Sequence, residues 1–204
     1  MELSHELAKD LLAIKAVQIN PNNYFTWTSG IESPIYCDNR LTMSHPTIRK
    51  KISEAFVRLI EQMEEKPDVI AGCATAGIPH AAWLADRLEL PMVYVRSKPK
   101  GHGKGNQIEG LLKSGQKVLV IEDLISTGGS SIEAAQVLQQ DGANVLGVLA
   151  IFTYGLQKSE ENFAGANIPI QTITGFDQLL DALVKDEEIQ EEERLKLISW
   201  RDAL

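Results

Sequence analysis

Apolar residues recur with helical spacing in two parts of the first third of the chain. Residues 3–14 and 47–63 carry apolar side chains every three to four positions, which predicts two amphipathic helices. Between them, the aromatic and β-branched residues of 24–40 are interrupted by Ser29-Gly30 and Ser33-Pro34. These breakers predict a short hairpin or an irregular lid.

The rest of the chain repeats a strand, turn and helix pattern. Short runs rich in Val and Ile lie at residues 68–73, 92–96, 117–123, 144–152 and 169–174. Helical stretches follow at residues 78–88, 130–140 and 156–164, and the tail from 175 to 204 has the pattern of two more helices. In residues 118–121 every position is apolar, which is typical of strands covered on both faces. We therefore predict an α/β fold with a central, mainly parallel sheet flanked by helices.

Composition narrows the class of function. The formal charge is -8 and the chain has no long basic block. This disfavours a nucleic-acid partner, because binding nucleic acid without sequence specificity requires many Lys and Arg contacts with phosphates. The longest apolar run, residues 145–152, is shorter than the roughly 20 residues of a membrane helix. Residues 1–10 lack the pattern of a secretory signal, and Cys37 and Cys73 offer no zinc spacing. We expect a soluble cytoplasmic protein that binds a small ligand.

The most specific signal lies in residues 118–131. Four apolar residues precede Glu122 and Asp123, and two more precede the turn Ser126-Thr127-Gly128-Gly129-Ser130-Ser131, which opens a predicted helix. In α/β sheets, ligands bind at the carboxyl ends of strands, where the first amides of the next helix attract anions. The glycines permit close backbone approach and the hydroxyls add donors. Residues 127–131 are therefore predicted to hold a phosphate.

The two acids indicate what is attached to that phosphate. Glu122 and Asp123 would repel a phosphate unless they bound another group, and paired carboxylates suit ribose hydroxyls, directly or through hydrated Mg2+. We interpret the segment as a site for a phosphorylated ribose. The alternative is a strand with an acidic edge, an ordinary turn and a Ser-capped helix, but the order of the elements favours a ligand site.

With this motif the chain resembles the phosphoribosyltransferase family, whose signature is four apolar residues, two acids, two apolar residues and a turn rich in Ser, Thr and Gly. Residues 25–30, 33–36 and 96–103 resemble the bacterial orotate-specific branch of that family. The resemblance implies the type I phosphoribosyltransferase fold in one domain. Its parts are an N-terminal helix and hood at about 1–45, an α/β core at about 46–175 and C-terminal helices at about 176–204.

The resemblance also implies a reaction and its residues. Orotate and 5-phosphoribosyl 1-diphosphate (PRPP) give orotidine 5-monophosphate and diphosphate, with Mg2+, on the route to UMP. Mg2+ is implied to be held mainly through substrate and water near Glu122 and Asp123. The implied catalytic residues are His102, Lys100 and Asp123. The implied PRPP ligands are Arg96, Lys100, His102, Glu122, Asp123, Leu124, Ile125, Ser126, Thr127, Gly128, Gly129 and Ser130, and Ser126 is also implied to bind orotate.

The family adds an expectation about assembly, and the chain departs from the family at four positions. Members commonly act as homodimers that share active sites through a mobile loop, so a homodimer is implied here. Many members carry lysine in place of Thr28, Ala76 and Ser97, and arginine in place of Tyr154. No contact with orotate or PRPP is carried over to these four side chains. Residues 73–77 match the family's diphosphate-side loop.

Residues 98–110 have the composition of a mobile loop that carries cations, with four glycines and with Lys98, Lys100, His102 and Lys104. Closing such a loop over diphosphate would neutralise charge and exclude water. Because an imidazole side chain generally titrates near neutral pH, His102 is a candidate to protonate the leaving diphosphate, although a charged hydrogen-bond donor would be sufficient there. The alternative is an exposed linker between strands.

Other functions remain open from the sequence. One is transfer to another base, such as xanthine or adenine, and another is a non-catalytic regulator that senses PRPP. A dehydrogenase is poorly supported because no G-x-G-x-x-G follows the first strand of a nucleotide-binding unit. For orotate, backbone donors near Ser29 and a stacking face from Tyr36 or Phe25 are predicted, with core packing as the alternative for both rings.

Overall fold

The amino-terminal part of the chain forms one helix and two small antiparallel ladders. The computed structural model describes residues 2–20, 24–26, 32–98 and 107–204. Within them lie α1 (Glu2–Ala13), β1 (Val17–Ile19), β2 (Phe25–Thr26), β3 (Glu32–Ser33), β4 (Ile35–Cys37) and a 3-10 helix (Asn39–Ser44). Strand β1 pairs with β4, and β2 pairs with β3. We call residues 17–44 the hood; it contains the predicted hairpin, which is confirmed in the described residues.

The remaining elements alternate between helix and strand. They are α2 (Pro46–Gln62), β5 (Val69–Cys73), α3 (Gly77–Leu88), β6 (Met92–Val95), β7 (Ile108–Glu109), β8 (Lys117–Ile125), α4 (Gly129–Gln140), β9 (Asn144–Thr153), α5 (Gln157–Ala166), β10 (Ile170–Gly175), α6 (Phe176–Lys185) and α7 (Glu191–Asp202). Six strands form the central sheet in the order β10-β9-β8-β5-β6-β7. Every pair in it is parallel except β6 and β7. The predicted mainly parallel sheet is confirmed.

Alternate side chains of the strands enter different hydrophobic cores, as expected for a sheet covered on both faces. On β8, Leu119 and Ile121 pack with α1, α2, α3 and α6. Val118 and Val120 point to the other face and pack with α4 and α5. All four of these side chains have 0% exposure. This double burial explains why the strand is apolar at consecutive positions, and it fixes β8 at the centre of the fold.

The carboxyl-terminal helix contacts the hood. Trp200 of α7 donates its indole N–H to the carbonyl oxygen of Glu32 at 3.3 Å, and its ring lies 6.5 Å from that of Phe176. Arg201 adds an ion pair with Asp177 at 2.7 Å. The two predicted tail helices are thus confirmed as α6 and α7, and α7 packs onto α6 and the hood. Across the described ranges, no helix is both long and apolar enough to cross a membrane.

Candidate active site

The predicted ligand site lies at one edge of the central sheet. Strands β5, β6 and β8 are parallel neighbours, so the segments that follow them emerge together. These segments are residues 74–76 after β5, residues 96–98 and 107 at the two described ends of the connection after β6, and residues 126–128 after β8. The structure therefore brings together three segments that the sequence placed at the diphosphate and the ribose phosphate.

Strand β8 extends further than predicted. The sequence placed the end of the strand at Asp123, but β8 continues to Ile125, so both acids lie within the strand. Its pairing with β5 stops at Ile121, whereas its pairing with β9 continues to Ile125. The last four residues of β8 therefore overhang the end of β5. The backbone that carries the two acids is therefore paired with β9 on one side and has no strand partner on the β5 side.

Glu122 is buried, with 5% exposure. Its Oε1 accepts the backbone N–H of Asp123 at 2.9 Å, and its Oε2 accepts the hydroxyl of Ser131 at 3.2 Å. Burial, followed by the hydrogen bond and charge of Asp123, raises the pKa of the Glu122 carboxyl to about 8. A group of this kind, perturbed by burial and by a specific neighbour, is typical of a functional site.

Asp123 is half-buried beside Glu122. Burial raises the pKa of the Asp123 carboxyl, and Arg40 opposes this shift. Arg40 is itself engaged by Asp38, with Nε 2.6 Å from Oδ1. The Arg40 cation, which lowers the pKa of Asp123, is therefore already shared with a third carboxylate, that of Asp38. A ligand that supplies hydroxyl donors or a positive charge would relieve the repulsion between Glu122 and Asp123.

The predicted phosphate loop is a tight turn into α4. Gly128 has a φ of 81°, and a Cβ on this residue would lie 2.4 Å from the ring of Phe163. Glycine is thus required both by the left-handed backbone and by the close approach of α5. The turn is also tied to α5 by Asn162, whose Nδ2 donates to the carbonyl of Thr127 at 2.9 Å. Gly128 supplies no capping side chain, which leaves the first amides of α4 to an outside acceptor.

The exposures of the loop residues separate those that can meet a ligand from those that cannot. Thr127, Gly129 and Ser130 are exposed and Ser126 is half-buried. Ile125 is 1% exposed, and its carbonyl accepts the backbone N–H of Tyr154 at 3.1 Å. Ser131 was expected to donate its hydroxyl to the phosphate; that prediction is wrong, because Ser131 is fully buried and donates to Glu122 instead.

On the diphosphate side the structure describes both ends of the predicted loop. The backbone N–H of Arg96 donates to the carbonyl of Gln107 at 2.8 Å, and Gln107 Nε2 donates back to the Arg96 carbonyl at 3.2 Å. Arg96 Nη1 lies 3.3 Å from Glu109 Oε1. The predicted ligands Lys100 and His102 fall outside the described residues. Arg96 is thus placed at the carboxyl end of β6, at the stem of that loop.

The segment after β5 approaches β8 closely. A Cβ on Gly77 would lie 2.3 Å from the carbonyl oxygen of Ile121, so only glycine permits α3 to begin against the strand that carries the acids. The Ala74–Thr75 peptide bond is cis. Ala76, at the N-terminal cap of α3, makes no side-chain capping bond. A second set of helix amides therefore faces the same edge of the sheet as those of α4.

The predicted base side is described only in part. The ring of Tyr36 is 38% exposed and lies 5.8 Å from the ring of Phe25. Tyr36 is therefore not a core residue, and Phe25 is half-buried. Tyr154 is 5% exposed, and burial raises the pKa of its hydroxyl. Thr28 and Ser29 lie outside the described residues.

Three polar contacts of the site were missed by sequence reasoning. Asn39 of the hood donates its Nδ2 to the carbonyl of Asp123 at 2.7 Å, Asn162 contacts Thr127 as described above, and Ser131 supports Glu122. The contacts of Asn39 and Asn162 join residues 84 and 35 positions apart in the chain, whereas Ser131 lies nine positions after Glu122. The one local signal was that Asn39 lies two residues after the end of β4.

The cysteines and the acids differ in what they can bind. Burial raises the pKa of Cys37 and Cys73 well above the ordinary thiol value, so both thiols are neutral and neither suits a metal or a nucleophilic role. In the part of the chain that the structure describes, no group of three or more His, Cys, Asp or Glu side chains is arranged to hold a metal. Two carboxylates alone suit a hydrated Mg2+ that is held mainly by its substrate.

Comparison with known proteins identifies the family to which the chain is related. The model of the phosphoribosyl transferase domain matches residues 43–169. Orotate phosphoribosyltransferase of Oceanobacillus iheyensis is 64% identical over 202 residues, covering 99% of this chain and 100% of that protein. The enzyme of the same name from Fusobacterium nucleatum is 55% identical over 204 residues, covering 99% and 97%.

A solved structure agrees with the sequence relatives. The crystal structure of orotate phosphoribosyltransferase from Aeropyrum pernix has a TM-score of 0.77 at 30% identity, covering 87% of this chain and 97% of that chain. The region matched by the domain model runs from the end of the hood to the start of β10 and includes the acid pair and the glycine turn. With an acid pair on an overhanging strand and a glycine turn leading into a helix, the chain belongs to the phosphoribosyltransferase family.

Proposed function

We propose that this protein is an orotate phosphoribosyltransferase, which transfers the 5-phosphoribosyl group of PRPP to orotate and releases diphosphate. The observation that carries the proposal is the placement of Glu122 and Asp123 directly before the Gly128 turn at the open edge of the sheet. Relatives named for this reaction match the chain over nearly its whole length. Their name supports orotate as the accepting base.

The binding roles follow from the geometry. The first amides of α4 and the hydroxyls of Thr127 and Ser130 hold the 5-phosphate. Asp123, which is half-buried at the edge, meets the ribose hydroxyls. Glu122 is nearly covered, and its Oε1 supports Asp123 by accepting the backbone N–H of that residue. The rigid part of the site thus recognises the sugar phosphate before any base is bound.

Charge stabilisation is the main task of the chain in the transfer step. As the bond to diphosphate breaks, the sugar gains positive character and the diphosphate gains negative charge. Arg96, Lys100 and His102 would meet the diphosphate from the connection after β6, and closing this connection would exclude water. Glu122 and Asp123 would hold Mg2+ mainly through substrate and water, and the ion would supply positive charge to the diphosphate. Ser126 would contact the base, as the family resemblance implies.

A panel of bases tests the proposed acceptor. Diphosphate release from PRPP is measured with orotate, xanthine, adenine and no base. We expect release with orotate and none above background with the purines. Release with a purine but not with orotate would show that the purine, and not orotate, is the accepting base. If PRPP binds without release with any base, and a shift assay at physiological salt detects nucleic-acid binding, the protein is a regulator.

His102→Ala tests the predicted proton donor. We expect a large fall in turnover with little change in the dissociation constant of PRPP, because the imidazole acts on the leaving group rather than on the bound substrate. Lys113→Ala, at an exposed position outside this connection, is the control. Turnover equal to that of the unmodified protein would remove His102 from the mechanism.

We also propose a cytoplasmic homodimer whose subunits share their active sites, as the family resemblance implies. Sedimentation velocity measures the size of the assembly. Mixing His102→Ala with Asp123→Asn then tests the sharing, because a mixed dimer has one site free of both changes if the connection after β6 serves the neighbouring subunit. Activity in the mixture supports sharing, and its absence from a confirmed mixed dimer contradicts it.

A further inference from the structure

Asn39 is a buried hood residue that contacts the acid pair. It begins the 3-10 helix Asn39–Ser44 and is 1% exposed. Its Nδ2 donates to the backbone carbonyl of Asp123 at 2.7 Å, across 84 positions of the chain. A carbonyl oxygen only accepts, so this contact fixes which end of the amide carries the nitrogen. Asn39 is in turn held by Thr42, whose hydroxyl donates to the Asn39 carbonyl at 2.6 Å.

The backbone of Asp123 needs this contact because the sheet supplies no partner on that side. The ladder between β8 and β5 stops at Ile121, two residues before Asp123. The N–H of Asp123 is instead taken by Glu122 Oε1, and its carbonyl by Asn39. Two side chains thus replace the missing strand, and together they fix both backbone groups of the residue.

The second amide atom of Asn39 supports the same interpretation. Asn39 Oδ1 is buried and has no hydrogen-bond partner within residues 2–20, 24–26, 32–98 and 107–204. Leaving a buried acceptor without a hydrogen bond costs free energy of folding. We therefore expect the one hydrogen bond that the Asn39 amide does make to have a function. For Asn39 that bond is the contact with Asp123.

We propose that Asn39 is a positioning residue, which sets the direction of the Asp123 carboxylate toward the ribose of PRPP by holding the Asp123 carbonyl. The inference rests on the proposed function, since it deepens the role of Asp123 in that site. It also makes the hood a part of the sugar site as well as of the base site. The carboxylate direction depends on the backbone of Asp123, which Asn39 and Glu122 hold from both ends.

A double-mutant cycle on the full chain tests this role. The unmodified protein, Asn39→Ala, Asp123→Asn and the double variant are compared by kcat, by KM for both substrates and by the dissociation constant of PRPP. Asn39→Ala should lower kcat/KM by about tenfold or more when Asp123 is present and by less than about threefold when Asn replaces it, because residues that act as a unit are not additive. Equal losses in the two backgrounds would overturn the inference.

Two further variants separate positioning from loss of folding. Asn39→Asp keeps the volume of the side chain and removes the donor, and it enters the same cycle if Asn39→Ala does not fold. Ser33→Ala removes the hydroxyl of another buried hood residue. This hydroxyl donates to the Ile35 carbonyl at 2.8 Å. We expect Ser33→Ala to lower the free energy of unfolding while changing kcat/KM by the same factor in both Asp123 backgrounds. Non-additivity as large for Ser33 as for Asn39 would show that the coupling is merely structural.

The cycle also distinguishes this inference from the proposed function. If the unmodified protein binds PRPP but transfers its ribose to no base, the proposed function fails, and the cycle on the dissociation constant of PRPP still decides on Asn39. If transfer to orotate is found and the losses are additive, only the role of Asn39 fails. An unmodified protein that does not bind PRPP would overturn both.

Discussion

Glu122→Gln is expected to make the fold more stable at high pH while it impairs the site. The pKa of the Glu122 carboxyl is raised from an ordinary 4.5 to about 8. Between these pH values the folded state holds a proton that the unfolded state has released, so the stability of the unmodified protein falls as the pH rises through this window. A glutamine amide carries no charge, so the variant avoids this loss.

The structure sets the size of the effect. Each pKa unit corresponds to about 1.4 kcal/mol, so the full effect of a lone carboxyl above pH 8 is on the order of 5 kcal/mol. Asp123 also has a raised pKa and adjusts to its neighbour, so we expect a gain of about 2 kcal/mol at pH 8.5 and less than about 1 kcal/mol at pH 5. The glutamine retains the partners, because its oxygen accepts the Asp123 N–H and its amide donates to Ser131.

The assay is urea unfolding at pH 5 and pH 8.5, with turnover measured on the same samples. Glu133→Gln is the matched control, because Glu133 is exposed on α4 and its replacement should change the free energy of unfolding by less than about 0.5 kcal/mol at either pH. Turnover of Glu122→Gln should fall at pH 8.5, because Glu122 of the unmodified protein is then largely ionised and the glutamine cannot supply its negative charge to the site. A gain in stability that is absent at pH 8.5, or equal at both pH values, would refute the electrostatic argument.

Two other substitutions test the turn and the tail. Gly128→Ala should lower the free energy of unfolding by about 2 kcal/mol or more, since it combines a left-handed backbone with a clash against Phe163, and it should weaken PRPP binding in calorimetry. Gly129→Ala is the control, because its Cβ would meet nothing within 4 Å, and we expect unchanged or higher stability; equal losses for both glycines would contradict the steric reasoning. Trp200→Phe removes the indole donor to Glu32 in the hood and should raise the KM for orotate more than the KM for PRPP. An equal rise in both KM values would show that α7 does not support the base side of the site.

Sequence reasoning succeeded where burial dictates the pattern, and missed features that depend on contacts between distant segments. The doubly buried strand β8 was predicted from its consecutive apolar residues. The Gly128 turn was predicted from its Ser, Thr and Gly residues, which follow the two acids. The end of β8 was placed too early because charged residues were taken to end the strand, although the ladder with β9 continues past them. The strands β1 and β7, with three and two residues, are too short for a periodic signal. The contact of Asn39 with Asp123 exists only after folding brings the hood over the sheet.

The overhang of β8 beyond β5 has a consequence for the thermodynamics of ligand capture. Carboxylates on a free loop would have to be ordered by the substrate, and affinity would be reduced by the lost conformational entropy. Here the acids sit on a strand that is already paired along one side, so the sugar phosphate meets a preorganised surface. Calorimetry of PRPP binding should therefore show only a modest entropic penalty from this part of the site.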